Sequence, residues 1–67
     1  MDMNAKYLNT QEIAAFLGLG LNKTKLLCKQ RPHNFPVVRI GNRYQAEATL
    51  LKEWRDAWYS GAFTVDL

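Results

Sequence analysis

The side chains that could carry chemistry are few in this chain: one histidine, His33, and one cysteine, Cys28. A general base such as histidine needs a nucleophile or a carboxylate within reach, and no such grouping surrounds His33. A lone cysteine can form no intramolecular disulfide and cannot supply a four-ligand zinc site, so we expect Cys28 to be a small core residue. We therefore expect no enzyme activity, no cofactor and no metal site. His33 should lie in a solvent-facing loop, with a phosphate contact as the alternative role.

The stretch GLGLNKT, residues 18–24, superficially resembles a phosphate-binding loop that ends in Lys-Thr. That motif requires glycine immediately before the lysine and a strand before the loop. Here Asn22 occupies the glycine position and a helical pattern precedes the loop, so we reject nucleotide binding.

Positive charge is concentrated in the middle of the chain, although the net charge is only +3. Residues 13–46 contain no acid, and six of the nine basic residues fall within them: Lys23, Lys25, Lys29, Arg31, Arg39 and Arg43. This concentration is typical of a protein with a polyanion partner. The alternative is a basic face that is merely solvated.

The length of 67 residues predicts one domain, too small for a large enclosed active site. No apolar run approaches the roughly 20 residues of a membrane span, and the N-terminus lacks the features of a signal peptide. We expect a cytoplasmic protein and no membrane partner.

Two short helices joined by a glycine-containing turn are predicted in the first half of the chain. Asn9 and Glu12 have the spacing of a capping box, so helix 1 should run from about Thr10 to Leu17 and end at Gly18. Helix 2 should follow almost at once in LNKTKLLCKQR, residues 21–31, which makes a helix-turn-helix candidate. The predicted core faces are Ile13, Ala14 and Leu17 in helix 1, and Thr24, Leu27, Cys28 and Arg31 in helix 2, with the aliphatic stem of Arg31 at the edge of that face.

The stretch FPVVRIGNRYQ, residues 35–45, predicts a β-hairpin. A two-residue Gly-Asn loop suits a primed turn, because Gly41 can adopt the positive φ that this turn requires. Residues 37–40 and 43–46 should therefore pair as two strands.

The register of the hairpin follows from its two-residue turn. Ile40 should face Arg43, and Arg39 should face Tyr44, across the strands. We expect Val38 and Ile40 to point inward and Arg39 and Tyr44 outward, although a one-residue change of register would reverse this.

A third helix is predicted over EATLLKEWRDAWY, residues 47–59. Its large apolar residues recur at three- and four-residue spacing, and we expect Trp54 and Trp58 to belong to the core rather than to stack on nucleic-acid bases. Ser60 and Gly61 should end the helix. The tail that follows is apolar enough either to pack back on the domain or to bind a partner.

Two consecutive stretches carry a resemblance to a known family, YLNTQEIAAFLGLGLNKTKLL and then FPVVRIGNRYQAEATLLKEW. The chain resembles the small winged-helix excisionases, which are related to the DNA-binding part of the MerR group. The resemblance covers about residues 7–58. Its most specific elements are LGLGLNK at the start of helix 2 and RIGNRY followed by Trp54. Within that family the chain is most similar to the excisionases of conjugative transposons.

The resemblance implies an α+β fold: one winged helix-turn-helix domain over residues 1–67, with a core at 7–59 and a tail at 60–67. Its three helices would carry a two-stranded β-hairpin, the wing, between helix 2 and helix 3. Excisionases of this type are recombination directionality factors. They bind and bend double-stranded DNA at the ends of a mobile element and help a tyrosine-recombinase integrase to excise it. Several copies can associate side by side on the DNA. The resemblance thus implies a cytoplasmic protein that is associated with the nucleoid when bound to DNA.

The resemblance also implies which residues contact DNA. Helix 2 would lie in the major groove, where asparagine can read adenine and lysines neutralise phosphates. The wing would reach the adjacent backbone or minor groove. The residues implied are Asn22, Lys23, Lys25, Leu26 and Lys29 in helix 2, and Arg39, Asn42, Arg43 and Tyr44 in the wing.

Two other functions remain open on the sequence. A small transcriptional regulator of phage or mobile-element genes would use the same fold and the same residue pattern. A protein-interaction adaptor would instead use Leu26, the tail and the exposed aromatic residues, and it would lack salt-sensitive DNA affinity.

Overall fold

The computed structural model describes residues 6–67, which form three α-helices and a three-stranded antiparallel sheet. This confirms the α+β class and is compatible with a small winged-helix-like fold. The sheet order is β1-β3-β2. In chain order the elements are β1 (Tyr7–Leu8), α1 (Thr10–Leu17), α2 (Leu21–Gln30), a 3-10 turn (Pro32–Asn34), β2 (Val38–Ile40), β3 (Arg43–Glu47) and α3 (Ala48–Tyr59).

The capping box predicted for α1 is present. The side-chain oxygen of Asn9 accepts a hydrogen bond from the Glu12 N–H at 2.8 Å, and the Glu12 carboxylate accepts one from the Asn9 N–H at 3.0 Å. At the other end Gly18 has a φ of 70°, a left-handed conformation that glycine adopts without steric cost. Local sequence therefore determines both ends of α1, and the predicted bounds are confirmed.

α2 begins at Leu21, directly after Gly20, which supplies no capping side chain. The hydroxyl of buried Thr24 donates to the Gly20 carbonyl at 3.0 Å, so this polar group is satisfied inside the core. Thr24, Leu27 and Cys28 are buried, as predicted.

Arg31 does not lie on the core face of α2, contrary to the prediction. The helix ends at Gln30, because Pro32 disfavours the helical conformation at the residue before it. Arg31 follows as the cap, exposed and left-handed with a φ of 48°.

The core lies where the three helices meet the sheet. Ile13, Leu27 and Leu51, one from each helix, are completely buried. Trp54 is also buried, and its indole N–H donates to the His33 carbonyl at 3.2 Å, whereas Trp58 is only half-buried against the same cluster. The other buried apolar residues are Leu8, Ala14, Leu17, Cys28, Phe35, Val37 and Ala46.

The β2–β3 hairpin has the predicted register: Ile40 pairs with Arg43 and Arg39 with Tyr44. Gly41 has a φ of 62° in the turn, as the two-residue loop requires. The pairing of the hairpin was thus predictable from eleven contiguous residues, 35–45.

The predicted orientation of the hairpin is wrong. Val38 and Ile40 are 55% and 58% exposed, whereas Tyr44 is half-buried against the core. The reason is β1, a strand that we did not predict, which pairs buried Leu8 with buried Ala46. Because side chains alternate along a strand, the Ala46 face of β3 is the inner face.

The C-terminal tail packs back on the domain. Phe63 and Val65 are half-buried against the core cluster. The Phe63 ring stacks on His33 with centroids 4.5 Å apart and lies 5.1 Å from Trp54. Of the two roles left open for the tail, the structure shows the packed one.

Candidate nucleic-acid interface

The outer face of α2 is exposed and basic. Thr24, Leu27 and Cys28 anchor the helix in the core, so its other side is directed away from the domain. All five residues predicted for a groove-reading face are exposed: Asn22, Lys23, Lys25, Leu26 and Lys29. Leu26 is 38% exposed and gives this face one apolar contact point.

The lysines of this face have no partner within residues 6–67: Lys23, Lys25 and Lys29 form neither ion pairs nor side-chain hydrogen bonds there. The cations of α3 differ. Lys52 donates to Asp56 at 2.7 Å, and this hydrogen bond is the main reason that the pKa of the Asp56 carboxyl is lowered; desolvation opposes the shift, and the positive charges of Lys52 and Arg55 add to it. The guanidinium of Arg55 lies 4.3 Å from the Phe16 ring centre and donates to the Phe16 carbonyl. Within the described residues the positive charge of the α2 face is therefore uncompensated, unlike that of α3.

Arg39 lies on the inner face of the hairpin, together with Val37 and Tyr44, because it pairs with Tyr44. Its Nε–H donates to the Gly41 carbonyl at 2.9 Å, which ties the guanidinium to the turn. Arg39 and Tyr44 were predicted to face outward: Tyr44 is instead half-buried, and Arg39 is exposed but lies on the same side of the hairpin, toward α2.

A cleft of about 200 Å³ separates α2 from the hairpin. It is lined by Cys28, Lys29 and Arg31 from α2 and its cap, and by Val37, Arg39 and Tyr44 from the hairpin. Three residues predicted as DNA contacts, one from helix 2 and two from the hairpin, thus share one site.

Asn42 and Arg43 lie away from this cleft. They border a different groove, of about 640 Å³, between the hairpin and the N-terminal end of α1. Glu12, on α1, lies in the same groove. The two hairpin arginines therefore have different surroundings: Arg39 belongs to the cationic cleft, and Arg43 to the exposed outer side near the hairpin tip.

Arg31 is the one basic residue of the cleft that we did not predict as a contact. We placed it on the core face of α2 by extending the helical wheel one residue too far. Pro32 was the available signal, because a residue before proline leaves the helical conformation and its side chain leaves the wheel.

His33 contacts the C-terminal tail, and Cys28 lies in the core. His33 is exposed in the loop, as predicted, and its Nε2 lies 3.0 Å from the Thr64 carbonyl of the tail. Cys28 is buried, and burial raises the pKa of its thiol above the ordinary value of 9.0. In the described chain no three histidine, cysteine, aspartate or glutamate residues cluster closely enough to hold a metal ion.

Comparison with known proteins finds no relative: no family model, no curated protein and no solved structure matches the chain. The longest α-helix among residues 6–67 has 12 residues, and none there is long and apolar enough to cross a membrane.

Proposed function

We propose that the protein binds double-stranded DNA through α2 and the β2–β3 hairpin. The observation that supports this most is the uncompensated positive charge of α2 beside a hairpin that adds two arginines. Neutralising phosphates with such residues releases counterions from DNA, which is the main source of affinity in this kind of binding.

The dimensions of α2 suit the major groove. An α-helix with its side chains is about 10–12 Å across, and the major groove is about 12 Å wide, so the 10-residue α2 can lie in it along about 15 Å of its length. In this arrangement Asn22 reads an adenine edge, Leu26 contacts a thymine methyl group, and Lys23 and Lys25 contact phosphates. The hairpin acts as the wing of a winged helix-turn-helix domain, with Asn42 and Arg43 near its tip.

The excisionase role is the more specific part of the proposal and rests on the resemblance of residues 7–58 to the conjugative-transposon type. A small domain contacts few base pairs, so one copy binds weakly and several copies on tandem sites supply specificity. By bending the ends of the element, the protein would bring integrase subunits into the geometry of excision.

Fluorescence anisotropy with DNA from the ends of the element tests the binding surface. The double variant Lys23→Ala, Arg43→Ala should bind more weakly and lower the slope of log K against log salt by up to about 1.8, at about 0.9 per lost phosphate contact. The matched control, Lys6→Gln, Lys52→Gln, removes the same charge elsewhere and should bind like the wild type. Equal binding by the double variant at several salt concentrations would refute the assignment.

An in vitro excision assay tests the role. With the cognate tyrosine-recombinase integrase, excision should require or be strongly stimulated by this protein. DNA binding without stimulation of excision would instead favour a transcriptional regulator, and absence of salt-sensitive DNA binding would favour an adaptor.

A further inference from the structure

The cleft between α2 and the hairpin combines positive charge with a small, defined volume. Lys29, Arg31 and Arg39 line it together, and none of its six lining residues is acidic. Because a water molecule takes about 30 Å³ in the liquid, a volume of about 200 Å³ accommodates one tetrahedral oxyanion and a few waters. Sites for larger small molecules usually measure about 300–1,000 Å³. The size therefore favours a single phosphate group over a nucleotide.

The surrounding chain does not neutralise these three cations. In the part of the molecule that the structure describes, the ion pairs are those of Lys52 and Arg55 with Asp56, on α3. The C-terminal end of α2 contributes about half a negative charge, far less than three positive ones. Three like charges around one cleft repel one another, and an anion between them removes that repulsion.

The backbone of Arg31 provides an independent observation. Its φ of 48° and ψ of 57° are left-handed, at a helix cap where glycine is the favoured residue. Its N–H donates to the Leu27 carbonyl at 2.7 Å, so the cap needs only the backbone of this residue. A long cationic side chain at a position that favours glycine points to a use for the guanidinium group.

Arg39 is oriented by the hydrogen bond of its Nε–H to the Gly41 carbonyl. The guanidinium carries further N–H donors on its two terminal nitrogens, and their planar fork matches two oxygens of a phosphate. The cleft thus has one arginine held by the hairpin and another carried by the end of α2.

We propose that this cleft binds one phosphate group of the DNA backbone, held by Lys29, Arg31 and Arg39 against the Tyr44 ring. This inference rests on the proposed function. If α2 lies in the major groove and the hairpin reaches the neighbouring backbone, one DNA strand passes between them and crosses the cleft. Because phosphate contacts determine how a protein sits on the duplex, the cleft sets the position of α2 in the groove.

The test combines protein variants with DNA duplexes that each carry one uncharged methylphosphonate linkage at a known position. One linkage should lower wild-type affinity about tenfold, the factor expected for losing a charged hydrogen bond. For Arg31→Ala that linkage should have a clearly smaller effect, because one of the three cations that hold the phosphate is already gone. Arg39→Gln should lose sensitivity to the same linkage, and Arg31→Lys should recover part of it.

The matched control is Lys25→Ala, which removes one charge from α2 outside the cleft and should keep the sensitivity at that linkage. Circular dichroism and thermal melting verify that each variant is folded. The wild-type protein could bind DNA tightly while no single linkage position shows reduced sensitivity in both Arg31→Ala and Arg39→Gln. That result would overturn the phosphate site in the cleft and leave the proposed function standing. Absence of DNA binding by the wild-type protein would overturn both.

Discussion

Replacing Arg31 by glycine should stabilise the protein and weaken its binding to DNA. A residue with a side chain costs roughly 1–2 kcal/mol in the left-handed conformation, and Arg31 has this conformation. Glycine removes that cost, but it gives the unfolded chain more conformational freedom, which lowers the free energy of unfolding by roughly 0.5–1 kcal/mol. The Arg31 side chain is exposed and makes no hydrogen bond within the described chain, so little else is lost.

The expected net gain in the free energy of unfolding is about 0.5–1 kcal/mol, from these two opposing costs. In a domain of this size it should raise Tm by about 2–8 °C. Urea unfolding followed by the fluorescence of buried Trp54 measures the stability. Anisotropy with a labelled duplex should show about tenfold weaker binding, because the guanidinium is gone.

Two further variants separate the backbone effect from the side-chain effect. Arg31→Ala loses the guanidinium and keeps the unfavourable φ, so it should bind as weakly as Arg31→Gly without the gain in stability. Gly18→Ala should lower the free energy of unfolding by about 1 kcal/mol. A new Cβ there meets no atom within 4 Å, so the cost comes only from placing alanine at a φ of 70°. If Arg31→Gly were no more stable than Arg31→Ala, the backbone argument would be wrong. If it bound DNA like the wild type, Arg31 would have no part in binding.

Three other predictions concern the core and the tail. Leu27→Ala should lower the free energy of unfolding by about 2–5 kcal/mol because Leu27 is completely buried. Leu26→Ala, at the exposed neighbouring position, should change it by no more than about 0.5 kcal/mol, and urea titration compares the two variants. Phe63→Ala should cost about 1–3 kcal/mol through lost contacts with the core, and Thr64→Ala, which keeps the carbonyl near His33, should cost much less. The Cys28 thiol should react with a disulfide reagent only as fast as the protein unfolds.

Cys28 also predicts a dependence of stability on pH. Burial raises the pKa of the Cys28 thiol in the folded protein. The protonated thiol therefore contributes fully to the free energy of unfolding below pH 9.0, its ordinary pKa, and this contribution is lost as the pH rises above that value. The urea midpoint should therefore fall in this alkaline range, and Cys28→Ala should fall less. An equal fall in both proteins would contradict this origin of the effect.

Much of the fold was predictable because its signals are local. The capping box of Asn9 and Glu12 and the left-handed Gly18 determine α1 within ten residues, 9–18. The Gly-Asn turn determines the register of the hairpin in the same way. Such features form between near neighbours in the chain and need no knowledge of the rest of the molecule.

In the candidate site the exposed side of α2 was predictable, whereas the orientation of the hairpin residues was not. The spacing of Thr24, Leu27 and Cys28 shows which side of the helix is buried, and hence which residues are exposed. The hairpin part depends on which face of the strands meets the core, and both faces carry apolar and basic residues. Nothing within residues 37–46 distinguishes them.

The sequence by itself determined the helices, the hairpin register and the basic character of the middle of the chain. Tertiary structure alone decided the direction of each hairpin arginine. That decision lies in the pairing of Leu8 with Ala46, two residues far apart in the chain, which turns Arg39 toward α2 and leaves Arg43 outside. Because strand side chains alternate, one long-range contact sets the face of every residue in the hairpin. The side of the hairpin that carries Arg39 thus lies beside Lys29 and Arg31, and the three line one cleft.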